Sequence, residues 1–135
     1  MVSLEENKAL VHDLFERVVN KQELEVADRT VSPEYIDHAA ERLGTVSRGP
    51  ASIRDFVSRQ RSRYADAHVV IEDMVAEGDK VVVRICMTGT SARRGVAVRF
   101  RGTVWWRIAG GKIMERWATS FAREDVSSDN VEGET

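Results

Sequence analysis

DKVVVRICMTGTSARRGVAVRFRGTVWWRIAGGKIMERWATSFA, residues 79–122, decides how the rest of the chain must fold. It reads as three antiparallel strands, KVVVRICMTGT, VRFRGTVWWRI and KIMERWATSFA, the last two joined by the turn Ala109-Gly110-Gly111. Glycine supplies the positive φ of a tight hairpin, and the strands are rich in β-branched and aromatic residues in near-regular alternation. Splitting the middle strand by parity gives Val98, Phe100, Gly102, Val104, Trp106 and Ile108 on one side. Arg99, Arg101, Thr103, Trp105 and Arg107 fall on the other, so the first side is the buried one. The same parity on the last strand puts Ile113, Trp117 and Phe121 inside and draws Glu115 in with them. A carboxylate on an apolar face costs several kcal/mol unless paired or protonated, which makes Glu115 a candidate for chemistry.

Working outward, Ser3 and Glu6 have capping-box spacing and Leu10, Val11, Leu14, Phe15 and Val18 recur at helical intervals, predicting a helix over 4–19. Leu24, Ala27 and Val31 predict a short second helix that stops at Ser32-Pro33. EYIDH, residues 34–38, is too short for a helix and reads as a strand or turn, and 39–47 as a loop. Gly49-Pro50 opens a third helix with the inner stripe Ile53, Phe56, Val57, Gln60 and Tyr64. A strand over 68–76 leads into the three-strand block. Residues 127–135 lack the apolar content of a folded segment and read as a disordered tail after a domain of 1–126. Helices segregated from antiparallel strands make an α+β domain whose curved sheet wraps over three helices and encloses a cavity.

Composition narrows the function classes. At 135 residues the chain fits one domain, and a formal net charge of −2 offers nucleic acid or an anionic membrane no special attraction. The opening MVSLEENKAL carries charge within its first five residues, so neither a signal peptide nor a membrane span is expected. The single cysteine, Cys86, cannot form an internal disulfide, which suits the cytoplasm. His12, His38 and His68 lie in different elements without metal-ligand spacing, and no glycine-rich phosphate loop or nucleophile elbow occurs; no metal or cofactor is expected.

The order of elements, with NKQELEVADRTVSPEYIDH, VAEGDKVVVRICMTGT and VRFRGTVWWRIAGGKIMERW, resembles the SnoaL-like polyketide cyclases and ester cyclases of the nuclear-transport-factor-2-like (NTF2-like) superfamily over about residues 5–122. The resemblance implies a cone-shaped α+β barrel, three N-terminal helices on a curved antiparallel sheet, commonly dimeric through the outer sheet face. It places the cyclases' acid/base aspartate at Ala118, so that group is missing. Against ketosteroid isomerase, a member of the same superfamily, the oxyanion-hole tyrosine and acid fall on Phe15 and Val104, and the base at or beside His38.

His38 reads either as a general base facing the cavity or as a histidine packed against backbone. Asp37 reads mainly as pointing the other way or orienting a neighbour, with direct chemistry the lesser reading. Glu115 reads as a general acid whose pKa burial raises, as an ion pair with an arginine reaching round the strand, or as a residue turned outward by a bulge. His38 and Glu115 are the catalytic candidates. Phe15, Phe56, Met87 and Phe100, with Trp106 and Trp117, form the expected apolar substrate wall, to which Tyr35 and Tyr64 add phenols. Arg99, Arg101 and Arg107 around Trp105 read as a homodimer face, without nucleic-acid or membrane partners. The expected function is a cofactor-independent cyclase or isomerase of a small, apolar, polycyclic or polyketide-like substrate. The alternatives are a non-catalytic ligand-binding or dimeric module and an epoxide-hydrolase-type or pericyclic enzyme. An epoxide hydrolase would want a carboxylate pair and an arginine inside, and the sequence places its arginines outside.

Overall fold

The computed structural model describes residues 3–119 and 122–125. Helix α1, Leu4–Asp13, begins at the predicted capping box: the Glu6 N–H donates to Ser3 Oγ and the Ser3 N–H to Glu6 Oε1, each at 3.1 Å. It continues as a π-helical segment, Leu14–Asn20. It buries Leu14, Phe15, Val18 and Val19 along one face. Helix α2, Glu25–Thr30, runs directly into strand β1, Val31–Asp37. Pro33 is tolerated within that strand because β1 is the end strand of the main sheet and Pro33 is exposed.

The predicted loop after β1 instead contains a fourth α-helix among the described residues, α3, His38–Leu43. Asp37 caps it, its Oδ1 accepting from the N–H groups of Ala39 and Ala40 at 3.0 and 3.1 Å, and Gly44 closes it at φ +74°. Helix α4, Gly49–Arg63, follows with proline at its first turn.

The remaining strands are β2, His68–Glu77; β3, Lys80–Thr90; β4, Ala97–Ala109; β5, Lys112–Ala118; and β6, Ala122–Asp125. They form one curved sheet in the order β1-β5-β4-β3-β2, with β6 paired to β4 beyond the end of β5. All pairs are antiparallel except β1 with β5, which is parallel. The single strand expected over 112–122 is therefore two, divided at Thr119, whose N–H donates to the Thr103 carbonyl at 3.1 Å.

Parity on β4 holds. Val98, Val104, Trp106 and Ile108 are buried against the helices, while Trp105 is 46% exposed on the outer face. On β5 it fails after two residues. Ile108 pairs with Ile113 but Arg107 pairs with Glu115, so Met114 is an extra residue, a β-bulge. Beyond it every side chain of β5 changes side. Trp117 and Glu115 leave the inner face, and Arg116 enters it. Phe121 and the predicted tail, 127–135, lie outside the described residues.

Candidate active site

Between the π-helical segment, α4 and the inner faces of β2, β3 and β4 lies a cavity of about 310 Å³. Six of the expected substrate contacts, Phe15, Phe56, Tyr64, Met87, Phe100 and Trp106, are in its wall. Their packing is edge-on: Phe15 meets Trp106 at 5.8 Å between ring centroids and Tyr64 meets Phe100 at 5.6 Å. Gly89 allows this, since a Cβ there would stand 2.9 Å from Tyr64 Cβ. A second cavity of about 230 Å³ adjoins the first and shares Asp37, Phe56, Arg59, Arg63 and Arg116 with it.

Asp37 and Arg116 are register partners on the parallel pair β1–β5, and both point inward. Arg116 Nη1 donates to Asp37 Oδ2 at 3.0 Å and to Oδ1 at 3.3 Å. The Asp37 side chain is 4% exposed and that of Arg116 11%, so the ion pair is largely removed from water. The Arg116 guanidinium also lies 5.3 Å from the Phe56 ring and 5.7 Å from the Trp106 ring, an aromatic seat suited to a cation of low hydration. With two helix N–H groups on Oδ1, Oδ2 is the Asp37 oxygen with the fewer donors. Tyr35, fully buried, aims its hydroxyl at that oxygen from 3.5 Å and lies in neither cavity wall. Burial first, and the Asp37 carboxylate second, hold the Tyr35 phenol well above the ordinary tyrosine pKa. Tyr35 thus backs the carboxylate as a protonated neighbour, where the sequence predicted a substrate contact.

His38 and Glu115, expected to meet in the cavity, meet outside it. His38 Nε2 is 2.7 Å from Glu115 Oε2, and the other carboxylate oxygen accepts from Arg107 Nε on the outer face of β4. Trp117 is stacked on the His38 ring, 5.1 Å between centroids at 14°, and also belongs to this outer cluster. The pKa of Glu115 is moved down: the His38 hydrogen bond lowers it most, burial opposes that next, and the hydrogen bond and charge of Arg107 add to the lowering. That reverses the expected upward shift. Two local features account for this: the bulge at Met114 carries Glu115 and Trp117 to the other side of the sheet, and at the end of β1 it is Asp37, not His38, that takes the inner face.

The SnoaL-like polyketide cyclase model matches residues 9–120, the stretch that builds both cavities. The chain belongs to that family. No protein of curated function matches it by sequence. In fold this SnoaL-like protein is similar to TsrD from Streptomyces laurentii, with TM-score 0.76 and 20% identity over 93% of this chain and 92% of that one. A candidate polyketide cyclase from Bacillus cereus gives TM-score 0.76 and 22% identity, covering 87% of this chain and 78% of that one. IdmH, a candidate polyketide cyclase from Streptomyces antibioticus, gives 0.73 and 19%, covering 84% and 90%. These likenesses establish the NTF2-like α+β cone.

The position at which the family resemblance puts an acid/base aspartate, Ala118, lies in the wall of the second cavity. Of the two ketosteroid-isomerase positions, Phe15 lines the larger cavity, and Val104 is fully buried in the core. In this SnoaL-like protein, among the described residues, the single carboxylate in the walls of either cavity is Asp37. Its sequence signal was present: Tyr35 and Asp37 alternate on one face, and an aspartate ahead of Ala39-Ala40 is a helix cap. Arg116 had none, because nothing in KIMERWA marks Met114 as a bulge. Among the described residues no group of three or more His, Cys, Asp or Glu side chains is placed to hold a metal ion, and no helix is long and apolar enough to cross a membrane.

Proposed function

We propose that the protein is a cofactor-independent cyclase or isomerase of an apolar, polyketide-like intermediate in the cytoplasm, with Asp37 as the base and Arg116 as the group that stabilises developing negative oxygen. The observation that carries this reading is a water-poor ion pair in the wall of an apolar cavity, flanked by aromatic rings. A carboxylate oxygen there can take a proton from carbon beside a carbonyl. The enolate oxygen is drawn to the free N–H groups of Arg116, where a low dielectric strengthens the attraction. The enolate carbon then forms the new bond to a second carbonyl, and the proton held on Asp37 passes to the resulting alkoxide. Enclosure brings the two arms of the substrate together.

An epoxide-opening reaction would draw on a carboxylate pair and an inward arginine; Arg59, Arg63 and Arg116 line the cavities, contrary to the expectation that the arginines lie outside, but among the described residues Asp37 is the single carboxylate there. His38 and Glu115 act in this reading as positioning residues that clamp β1 to β5 from outside. Pairing of two copies through the outer sheet face is supported by exposed Trp105 on the strand that carries Arg99, Arg101 and Arg107.

Asp37→Asn keeps a capping side chain and removes the base. With a candidate linear intermediate followed by mass spectrometry, its turnover should fall at least about 100-fold, the lower end of the range for general bases. His38→Gln should stay within about threefold of the wild type. Equal losses in the two variants would remove Asp37 from the role proposed for it.

A further inference from the structure

We propose that the indole N–H of Trp106 is the second donor, beside Arg116, to the substrate oxygen that becomes negative during the reaction; this rests on the reading of Asp37 as the base in the first cavity. Strand register sets the three residues in one row across the sheet. Asp37 on β1 is opposite Arg116 on β5, and Arg116 is opposite Trp106 on β4. All three line the first cavity. Neighbouring strands lie about 5 Å apart, so base, cation and indole fall within the span of one small substrate. The Arg116 guanidinium lies over the Trp106 ring, 5.7 Å from its centroid.

Trp106 is 2% exposed, and its Nε1–H has no hydrogen-bond partner among the described residues. A buried indole ordinarily finds an acceptor, and an unmet N–H away from water is costly. Of the other buried side-chain atoms without partners, Asn7 Oδ1 and Arg61 Nε lie in neither cavity wall, Ser52 Oγ is in the second, and Gln60 Oε1 in the first is an acceptor. Among the described residues Trp106 thus carries the single buried, unmet donor of the first cavity, and what it selects is an acceptor oxygen. Phe15, whose ring meets that of Trp106, brings no polar atom. The N–H is shielded from water, so the oxygen reaches it as the ring turns about its χ2 torsion into the adjoining hollow. When Asp37 takes the proton from carbon beside a carbonyl, the electron pair moves onto the carbonyl oxygen. Arg116 offers that oxygen charge, and Trp106 offers it a neutral N–H from the neighbouring strand. The ligand therefore carries a carbonyl on its apolar body, at the end that meets β4 and β5.

The test uses 2-acetylnaphthalene and its hydrocarbon isostere 2-isopropenylnaphthalene, in which a methylene group replaces the carbonyl oxygen. In heteronuclear NMR spectra, the indole N–H signal that is absent from Trp106→Phe should lie further downfield with the ketone bound than with the hydrocarbon bound. Both probes carry the same rings, so the difference reports the hydrogen bond. By calorimetry, Trp106→Phe should weaken the ketone about fivefold, the worth of one neutral hydrogen bond, and change the hydrocarbon by less than about twofold. If Trp106→Phe does not fold, Trp105→Phe and Trp117→Phe on the outer face identify the third indole signal by elimination, and its shift decides. A ketone that binds and leaves that signal where the hydrocarbon leaves it overturns the role of Trp106. Binding of neither probe overturns it together with the first cavity as the substrate site, whereas full turnover in Asp37→Asn bears on the base alone.

Discussion

The two sides of the β1–β5 pair carry nearly the same chemistry and use it differently. Inside, Asp37 faces Arg116; outside, His38 faces Glu115, with adjacent residues of each partner split between the faces. The inner pair is walled by Phe56 and Trp106 and opens onto both cavities. The outer pair is tied down by Arg107 and covered by Trp117, with His38 one-third exposed. An acid and a base in contact therefore say little about catalysis until the side of the sheet is known. Here one extra residue, Met114, sets the side.

Deleting Met114 and Glu115 together breaks that arrangement most directly. Ile113 would then be followed by Arg116 in a regular strand, turning Arg116 outward and Trp117 inward and leaving Asp37 buried and unmatched. A loss of about 3–5 kcal/mol, the cost of breaking a buried pair, consumes much of the 5–15 kcal/mol of an ordinary domain. Thermal denaturation should show a collapse of the cooperative transition, and a near-normal melt would mean that the register rearranges without cost.

Next in size is the contrast between the pairs themselves. Arg116→Met should destabilise by about 3 kcal/mol because it strands the Asp37 carboxylate away from water. Glu115→Gln should cost about 1 kcal/mol or less, since its partners can turn to solvent. Urea titrations of both variants check the difference, and equal costs would erase the distinction between the faces.

The smallest effect is a pH dependence. Glu115 is held below its ordinary pKa in the folded protein, chiefly by His38. Its stabilisation is thus complete above the unfolded value of about 4.3 and is lost as pH falls through the lower folded value. The stability gap between wild type and Glu115→Gln should be present at pH 7 and shrink progressively below about pH 5. A gap that persists at pH 2 would show that Glu115 contributes through packing rather than charge.

Particular residues show where legibility stopped. Ser3 and Glu6 announced the first helix, and the alternation VRFRGTVWWRI fixed the inner face of β4, because both signals are local. The short helix α3 was missed although Asp37 and Gly44 mark its two ends, since its six residues hold too little apolar periodicity to stand out. The aromatic wall followed from β4 parity and the α4 stripe. The acid/base candidates did not: the side of Glu115 depended on counting residues through β5, and that of His38 on which face of β1 carries Asp37.

The sequence by itself determined the α+β cone, its family, the direction in which β4 faces and the apolar character of the hollow. All of these follow from patterns repeated over many residues, so one irregularity cannot erase them. Tertiary structure alone decided that Asp37 and Arg116, rather than His38 and Glu115, look into that hollow. The physical reason is the twofold repeat of a strand: one inserted residue inverts every side chain beyond it, and its presence is revealed only by pairing with the neighbouring strand.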